Sequence, residues 1–420
     1  MTNKNKAKLS TESYKGVRDF YPEDQALLNY LLATYRRIAE QFGYVEYHAS
    51  ILEPAELYKS KGAENEEMVN DQTYTFIDRG EREVTLRPEM TPTVARMVAA
   101  KRREFGFPLR LFSIPNVFRY ERPQRGRLRE HWQLNVDIFG SQSLAADAEI
   151  MAVAHSIMMA FGAQESDFVI KIGSRSFLNT LIAEQGLSEE GGRNLLGLLD
   201  RKAKMPGAEF EAALAELGVS GDLLSADNVP EDVRAVIATL ENMGITNAVF
   251  DPSIVRGFAY YTGVVFEVFD THPDNNRSLF GGGRYDNLTA MFEDSAEGEI
   301  AGVGFGMGDV TMQDFLAVRG LTPAYTPPTH LYLAVTSPEM VPHALTIAGE
   351  LRAQGVACAV DFGDKKLSDQ IKIASKHKIP HLMVVGENEL QSGEFVVRDL
   401  VSGAESTRAR RELASFFLSL

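Results

Sequence analysis

The chain has 420 residues and a net charge of −15, with 44% hydrophobic and 24% charged residues. It is long enough for two or three domains, and its acidic balance argues against a general nucleic-acid coat, although a local basic patch could still bind a specific RNA. A single cysteine, Cys358, allows no intrachain disulfide and no cysteine-based metal cluster, and it therefore favours a reducing compartment.

The N-terminal part predicts a disordered lead followed by an amphipathic helix. Residues 1–13 are polar without a secretory signal, and no apolar run reaches the roughly eighteen residues of a membrane span, so a soluble cytoplasmic protein is expected. Apolar residues at helical spacing predict a helix over about Gln25–Phe42. Gly43 ends it, and Tyr44–Leu52 is predicted to be a strand.

A predicted hairpin over 71–86 leads into RPEMTPT, residues 87–93, and then into a predicted helix, Val94–Lys101. Glu89 and Thr91 lie at the junction between strand and helix, where functional side chains are often held on a rigid frame. The same two residues could be ordinary caps of the helix, and their position alone favours that interpretation.

The stretch Val117–Gly140, VFRYERPQRGRLREHWQLNVDIFG, predicts two strands joined by an arginine-rich loop. Pro123 and Gly126 mark the turn, and the second strand alternates polar and apolar residues. Guanidinium groups match phosphate oxygens, so the loop could wrap a polyphosphate, but the arginines alone are equally compatible with a solvated hairpin. A polar strand face beside the loop favours a small polar ligand. This face consists of His131, Gln133, Asn135 and Asp137.

Beyond the hairpin, the pattern predicts a helix, Asp147–Phe161, a short strand at 168–173 and a polar helical insertion at about 174–247. The insertion contains no constellation typical of catalysis. After it, VRGFAYYTG precedes an alternating apolar strand. The neighbours Tyr260 and Tyr261 would point to opposite sides of a strand, so both could reach one ligand only if the backbone turns there.

Two glycine-rich strands follow. In Phe280–Leu288, FGGGRYDNL, three glycines precede Arg284 and indicate either close approach to the backbone or a bulge. In Ala301–Gly308, AGVGFGMG, every second residue is glycine, so one face is bare and could be a floor for a planar ring or a contact with another backbone. The dinucleotide and phosphate-loop spacings are both absent. Asp309 is predicted to cap a helix that runs to about Val318.

Residues 321–329, LTPAYTPPT, predict a linker between a domain at 1–325 and an α/β domain at 326–420. The second domain alternates apolar strands with helices predicted near 338–353, 367–378 and 405–418. Its net charge is −1, against −14 for the rest. Its helix lysines read by default as a solvated face, but a basic edge on an acidic protein could contact RNA. The lysines assigned to one side of the second helix are Lys365, Lys372 and Lys376.

Together, these motifs resemble class II histidyl-tRNA synthetases across nearly the whole chain. The central hairpin resembles the family's motif 2 and GVGFGMG its motif 3. RPEMT, RGFAYYTG and FGGGRYD resemble its histidine-site motifs, and the pair RGxxYYTG and GGGRYD is specific to it. The resemblance implies a mixed α/β fold: an α+β catalytic domain with an antiparallel sheet flanked by helices, a helical insertion, and a C-terminal α/β anticodon-binding domain.

The resemblance also implies a reaction in two steps. Histidine and ATP give histidyl-adenylate and pyrophosphate, and the histidyl group then moves to the 3′ end of the tRNA for histidine. The implied partners are histidine, ATP with substrate-bound Mg²⁺, and this tRNA. The resemblance also implies a homodimer and a helical insertion that lies near the acceptor stem of the tRNA. No permanently bound cofactor and no metal held by the protein itself is expected.

Residue roles follow from the resemblance, motif by motif. The implied catalytic and ATP-binding residues are Arg119 and Arg256 on the α-phosphate, Glu121 on the adenine edge and Arg127 on the γ-phosphate. The implied histidine-binding residues are Glu89 and Thr91 for the amino group, with Met90 between them and Gln133 nearby, and Asp137, Tyr260 and Tyr261 for the imidazole.

Four positions depart from the usual family pattern. The motif 3 arginine over ATP would fall near Thr311, which puts ATP affinity in question, and the motif 1 proline would fall at Ser50. Ala259 and Asp137 stand where many members have aspartate and glutamate. A branch of the family that includes plant organellar members shares the RGxAYYTG and GFGMGD variants, so these are expected to be lineage features.

Two other functions are compatible with such a fold. A catalytically inactive relative could be a histidine sensor that resembles the regulatory subunit of ATP phosphoribosyltransferase, but those proteins generally lack the C-terminal domain and disrupt the arginines. An RNA-binding scaffold would need neither Arg119 and Arg256 nor Glu89. The sequence therefore favours an active synthetase.

Overall fold

The computed structural model describes residues 9–59, 72–202, 205–256, 260–275, 277–292, 299–363 and 365–419. The chain divides into two compact units, Met1–Pro323 and Ala324–Leu420, whereas the sequence predicted a boundary two residues later. Ala259 and the first part of the predicted lead lie outside the described residues. In the part of the chain that is described, no helix has both the length and the apolar character needed to cross a membrane.

The first unit contains nine helices and twelve strands within these described ranges. The helices are α1 (Pro22–Gln41), α2 (Glu56–Lys59), α3 (Thr91–Lys101), α4 (Leu144–Ala160), α5 (Arg175–Glu184), α6 (Glu189–Arg201), α7 (Gly207–Glu216), α8 (Glu231–Asn242) and α9 (Asp309–Val318). The strands are β1 (Val45–Glu46), β2 (Leu52–Pro54), β3 (Tyr74–Ile77), β4 (Glu83–Leu86), β5 (Leu109–Ser113), β6 (Asn116–Phe118), β7 (Glu130–Phe139), β8 (Phe168–Ser174), β9 (Ala248–Phe250), β10 (Val264–Asp270), β11 (Ser278–Arg284) and β12 (Gly302–Gly308).

A large, mostly antiparallel sheet organises this unit. Among the described strands its order is β1-β5-β7-β12-β11-β10-β8-β9, with β6 paired to one end of β7. Only the pairs β1–β5 and β8–β9 are parallel. Helices α1, α4 and α8 pack against it in the principal hydrophobic core, which includes Tyr35, Met151 and Val236. The predicted antiparallel sheet flanked by helices is confirmed.

The predicted central hairpin is present, with Val117 opposite His131 in the β6–β7 register. Its strand β7 is covered on both faces, because the neighbours Ile138 and Phe139 belong to two different hydrophobic cores. Alternation places Leu134 with Ile138 in the principal core. The polar residues predicted to form a ligand face therefore point the other way, toward the side that α3 covers.

The helical insertion has a small core of its own. Helices α5, α6 and α7 pack together around Leu178, Leu195 and Phe210. Helix α8, which the sequence grouped with them, instead packs into the principal core through Val233 and Leu240. The self-contained helical part is therefore shorter than the predicted 174–247.

One predicted strand, Tyr44–Leu52, is wrong. Its start is β1 in the large sheet, and its last residue begins β2, which pairs with β4 in a separate three-stranded sheet. The chain leaves one sheet and enters another between them, so no continuous strand can form. The predicted hairpin before α3 is present as β3 and β4, where Asp78 accepts hydrogen bonds from the backbone N–H groups of Gly80 and Arg82 at 2.8 and 2.9 Å.

The second unit is an α/β domain. Its described elements are β13 (Leu331–Val335), α10 (Val341–Ala353), β14 (Cys358–Val360), α11 (Leu367–Lys376), β15 (His381–Val385), α12 (Glu387–Ser392), β16 (Glu394–Asp399), β17 (Glu405–Ala409) and α13 (Leu413–Leu418). The strand order is β14-β13-β15-β16-β17, and the first three strands are parallel.

Two expectations for this unit need correction. The predicted helix near 405–418 is wrong in its first part, because Glu405–Ala409 is strand β17, paired antiparallel with β16 through a turn in which Gly403 has a φ of +77°. The predicted lysine face is also wrong in part, because Lys365 precedes α11. Only Lys372 and Lys376 lie on that helix, and all three lysines are exposed.

Candidate active site

A cavity of about 510 Å³ lies over the large sheet, on the side where β7 presents its polar residues. Its wall is built by β7, β11, β12, the arginine-rich loop, the start of α3 and the segment before β10. Most of the residues assigned through the family motifs meet there: Glu89, Thr91, Arg119, Glu121, Arg127, Gln133, Arg256, Tyr260 and Tyr261. Segments far apart in sequence therefore form one site.

Met90 and Asp137 do not belong to this wall. Met90 is fully buried and occupies the N-cap position of α3, so its side chain faces the protein interior. Asp137 is also buried and lies behind the cavity wall. Its carboxylate accepts a hydrogen bond from the hydroxyl of Tyr285, and Tyr285 does line the wall. Asp137 can therefore act on a ligand together with Tyr285.

A buried carboxylate and two tyrosines form one end of the cavity. Glu89 is only 6% exposed, and its Oε2 accepts a hydrogen bond of 3.1 Å from the Tyr260 hydroxyl. The rings of Tyr260 and Tyr261 lie 4.8 Å apart, and both reach the cavity because they precede β10 instead of lying in it. This arrangement can bind a cationic amino group beside a planar ring.

The glycines of β12 make room for polar side chains of the neighbouring strand. A Cβ atom on Gly304 would lie 2.2 Å from Asp137 Oδ1, and one on Gly306 would lie 2.0 Å from Gln133 Nε2. Larger residues at these glycines would collide with both groups. The bare strand face thus makes room for the polar floor of the cavity, and the two predicted uses of the glycine pattern, a floor for a planar ring or a contact with another backbone, stay predictions.

Two buried oxygen atoms beside this floor have no hydrogen-bond partner among the described residues: Gln133 Oε1 and Asp137 Oδ2. A buried acceptor without a donor is costly unless a ligand supplies one. Burial raises the pKa of the Asp137 carboxyl to about 7, and the hydrogen bond from Tyr285 opposes that rise. The floor is therefore suited to a ligand that carries several N–H donors.

The other end of the cavity holds arginines. Arg119 donates from Nε to the carbonyl of Pro88 at 2.9 Å, which fixes its guanidinium at the wall. The carboxylate of Glu121 lies 4.0 Å from Arg119 Nη1 and 3.6 Å from Arg127 Nη1. The Arg127 side chain is 61% exposed, so it can reach a ligand that extends out of the cavity.

Arg256 sits in a strained backbone conformation, with a φ of +54°. Its Nη1 lies 2.8 Å from Glu267 Oε1, and its Nη2 donates to the carbonyl of Gly281 at 3.2 Å. Burial lowers the pKa of its guanidinium, but Tyr261 and Glu267 outweigh that effect and raise it, so the group stays charged. Strain of this kind persists where the surroundings hold a functional group in place.

Thr311, the position near which the resemblance would place the motif 3 arginine, lines the cavity at this end. Its hydroxyl donates to the carbonyl of Leu279 at 2.7 Å, and its methyl group lies beneath the arginine-rich loop at Gly126. A short neutral side chain therefore closes the wall here. A second cavity of about 880 Å³ adjoins the first, shares Arg127 and Arg256 with it, and reaches α6 of the helical insertion.

Sequence reasoning missed Tyr285 and Glu267, although each left a signal, and it placed His131 on the polar strand face without giving it a role of its own. His131 lines the cavity, and its pKa is lowered to about 3 by burial and by Arg119 and Arg18, so its ring is neutral. Tyr285 follows Arg284 directly in FGGGRYD. Glu267 was visible as a carboxylate in the middle of an apolar strand, which indicates a partner.

Within the described residues, no group of three or more His, Cys, Asp or Glu side chains is arranged to hold a metal ion. An arginine-lined cavity on an antiparallel sheet, joined to a C-terminal unit whose residues 330–420 match the family model described as "Anticodon binding domain", defines an aminoacyl-tRNA synthetase. The family model described as "Histidyl-tRNA synthetase" matches residues 16–308. The chain belongs to the histidyl-tRNA synthetase family.

Similar proteins span nearly the whole chain. A protein of Leptospira biflexa named histidine–tRNA ligase is 41% identical over 423 residues, which cover 95% of each chain. A protein of Thermoplasma volcanium with the same name is 33% identical, over 97% of this chain and 98% of its own. The crystal structure of histidyl-tRNA synthetase from Nostoc sp. PCC 7120 has the same fold, with a TM-score of 0.82 at 24% identity over 98% of this chain and all of that one.

Proposed function

We propose that this member of the family is an ATP-dependent aminoacyl-tRNA ligase that attaches histidine to its tRNA through a histidyl-adenylate. The observation that supports it most directly is one cavity wall that holds two arginines, Arg119 and Arg256, and the buried acceptor of Gln133. Full-length relatives named histidine–tRNA ligase support the same function.

Histidine would bind at the tyrosine end of the cavity. Glu89 would supply a buried carboxyl group for the amino group, and Thr91 and Gln133 would supply further hydrogen bonds. Asp137 with Tyr285 would face the imidazole, beside the rings of the two tyrosines. A site that must satisfy buried polar groups rejects apolar analogues, because those analogues leave these groups unpaired.

ATP would bind at the arginine end, together with the Mg²⁺ that accompanies it as substrate. Arg119 and Arg256 would hold the α-phosphate, since both are charged and fixed by backbone carbonyls. Glu121 would accept from the adenine edge, and the exposed Arg127 would reach the γ-phosphate. Thr311 is neutral, so ATP recognition would fall to Arg119, Arg127 and Arg256.

The first step needs positioning and positive charge more than a protein nucleophile. A carboxylate oxygen of histidine forms a bond to the α-phosphorus, and the bond from that phosphorus to the pyrophosphate oxygen breaks. Negative charge builds on the phosphoryl oxygens, where two permanently charged guanidinium groups stabilise it. The reacting atoms require no proton transfer in this step.

In the second step, a ribose hydroxyl at the 3′ end of the tRNA attacks the histidyl carbonyl, and AMP leaves. The adjoining cavity of about 880 Å³ is wide enough for a terminal nucleotide and opens onto the reacting end at Arg256. It runs between the arginine-rich loop and α6, so the helical insertion would meet the acceptor end of the tRNA there.

Histidine-dependent exchange of labelled pyrophosphate into ATP tests this function. We expect exchange that depends on histidine and is absent with other amino acids. Histidine binding without exchange would point to a histidine sensor, and binding of tRNA alone would point to an RNA-binding scaffold. Both are less favoured, because the C-terminal unit and the cavity arginines that a sensor generally lacks are present.

The exposed lysines on and before α11 are the proposed tRNA contact of the second unit. Replacing Lys372 and Lys376 with glutamate should weaken tRNA binding about tenfold and reduce its salt dependence by about two phosphate contacts, while pyrophosphate exchange stays unchanged. The ion pair of Lys372 with Asp369, at 2.9 Å, is exposed and should oppose this effect little. Binding titrations of the tRNA at several salt concentrations measure it.

A matched control distinguishes the loss of a local tRNA contact from a general effect of the protein's net charge on tRNA binding. Replacing Lys101 and Arg103 with glutamate makes the same charge change at exposed positions of the first unit. If that variant weakens tRNA binding as much as the α11 variant does, or if neither does, the proposed contact is wrong.

We also propose that the protein is a homodimer that works in the cytoplasm. Phe76 and Ile77 on β3 are 46% and 63% exposed, and a second copy could cover these apolar side chains. Light scattering as the protein elutes from a size-exclusion column measures the mass of the particle directly. The mass of a single chain at micromolar concentration would exclude a stable dimer.

A further inference from the structure

Arg129 lies in the arginine-rich loop but outside the cavity wall. It is 9% exposed, and its guanidinium Nε donates to the backbone carbonyl of Glu121 at 3.1 Å. Its own carbonyl accepts from the backbone N–H of Arg119 at 2.9 Å. Arg129 therefore fixes the backbone of the two residues assigned to the α-phosphate and the adenine edge.

On its other side, Arg129 is held by residues 14–20, YKGVRDF, which we name the N-terminal strap. The Arg129 backbone N–H donates to the carbonyl of Gly16 at 2.7 Å, and its Nη1 donates to the carbonyl of Lys15 at 3.3 Å and to the Tyr14 hydroxyl at 3.1 Å. Gly16 has a φ of +90°, and a Cβ atom there would lie 2.8 Å from both Cγ and Cδ of Arg129. Only glycine fits.

The strap has a second attachment, at the start of α9. Arg18 Nη2 donates to Asp309 Oδ2 at 2.7 Å, and Asp309 is fully buried. The other oxygen of Asp309 accepts from the backbone N–H of Trp132 at 2.9 Å. The ring of Phe20 packs edge-on against Trp132, with ring centroids 5.2 Å apart. The strap thus joins the arginine-rich loop, β7 and α9 into one assembly.

The contacts of Arg129 leave it poorly suited to bind phosphate. Its Nε and Nη1 are engaged with backbone and hydroxyl oxygens, and its guanidinium stacks 4.0 Å from the centroid of the Tyr120 ring. Because its N–H groups donate to neutral acceptors inside the protein, the positive charge of Arg129 is directed away from the cavity. Its effect on ATP must therefore act through Arg119 and Glu121.

We propose that the N-terminal strap positions the ATP end of the site through Arg129, which is a positioning residue and no phosphate ligand. This inference rests on the proposed function, since it takes Arg119 and Glu121 as ATP contacts. The strap contacts given above reach Arg129, Asp309 and Trp132. A loosened strap should raise the KM for ATP and leave the KM for histidine unchanged.

Gly16→Ala tests this inference, with Gly43→Ala as its control. Both glycines have a left-handed backbone, with φ of +90° and +81°, but a Cβ atom on Gly43 meets nothing within 4 Å. The two variants share the backbone strain, and only the first displaces Arg129. In pyrophosphate exchange we expect the KM for ATP to rise about tenfold in Gly16→Ala only, because a misplacement of about 1 Å can cost up to about 10²-fold and this displacement is indirect.

Arg129→Lys provides a second variant that keeps the charge but loses the forked contacts. It should raise the KM for ATP in the same way, whereas a residue that only added positive potential would be rescued by lysine. Equal KM values for ATP in Gly16→Ala, Arg129→Lys and Gly43→Ala would overturn the strap's role, as would an equal rise in both substrates' KM. Absence of exchange in the unaltered protein would instead refute the proposed function itself.

Discussion

Arg256→Ala is expected to lower the rate of histidine-dependent pyrophosphate exchange by about 10²–10³-fold, because one of two fixed charges on the α-phosphate is removed. Such a loss corresponds to about 3–4 kcal/mol of transition-state stabilisation. Histidine binding, measured by calorimetry without ATP, should remain detectable, since Glu89 and Gln133 are untouched. Arg256 is held at φ +54° between Glu267 and the carbonyl of Gly281.

A matched control for Arg256→Ala is Arg110→Ala. Arg110 also pairs with a carboxylate in the first unit, at 2.7 Å from Glu149, but it does not line the cavity. This variant removes a comparable ion pair, so loss of stability alone would appear in both variants. Exchange that survives Arg256→Ala unchanged, or that falls equally in Arg110→Ala, would refute the catalytic role.

Local patterns predicted much of the fold. The period of two in β7 and the glycines of β12 follow from one strand each, and both are present in the structure. The failures occurred where distant segments decide the outcome. Residues 405–409 were predicted as the start of a helix near 405–418, yet pairing with β16 across the Gly403 turn makes them a strand. Sheet pairing overrides local preference in such cases.

The candidate site likewise has residues that local motifs predicted and contacts between distant residues that they did not. Arg119, Arg127 and Arg256 fall in compact motifs, as do Glu89 and the two tyrosines, and these six residues line one cavity. The contact of Tyr285 with Asp137 joins residues 148 positions apart, and the ion pair of Arg256 with Glu267 requires the turn before β10. Spacing along a chain carries no information on such encounters. The same holds for Arg129, which looks like its phosphate-facing neighbours until its strap contacts are seen.

Asp137, which we propose faces the imidazole of histidine, also affects the stability of the fold. Its pKa is raised to about 7 by burial, whereas an unfolded aspartate ionises near its ordinary value of 3.8. At a pH between those two values, the folded chain keeps a proton that the unfolded chain has lost. The contribution of Asp137 to the unfolding free energy is therefore greatest at low pH and falls as the pH rises toward 7. Above pH 7 the contribution is constant. The folded protein therefore tolerates an unfavourable charge at the floor of its site.

Asp137→Asn should remove this pH dependence, because an amide does not ionise. Between pH 5 and pH 8, the unfolding free energy of the unaltered protein should fall by roughly 2–3 kcal/mol more than that of the variant. Urea denaturation at both pH values measures the difference. Tyr285→Phe provides an independent check on the sign: the hydrogen bond from Tyr285 lowers the pKa of Asp137, so its loss should extend the fall in stability to higher pH. Equal pH dependence in all three proteins would contradict the raised pKa.

Asp137→Asn should also impair recognition of histidine. An amide N–H in place of Asp137 Oδ2 would confront a ring N–H of the substrate, and the KM for histidine should rise by at least about 10²-fold, since mismatched buried polar groups discriminate strongly. The KM for ATP should stay unchanged, because Arg119 and Arg256 lie at the other end of the cavity. An unaltered KM for histidine would mean that Asp137 supports Tyr285 without facing the imidazole. A buried carboxylate that destabilises the empty site while it selects the substrate is what a trade-off between stability and function requires.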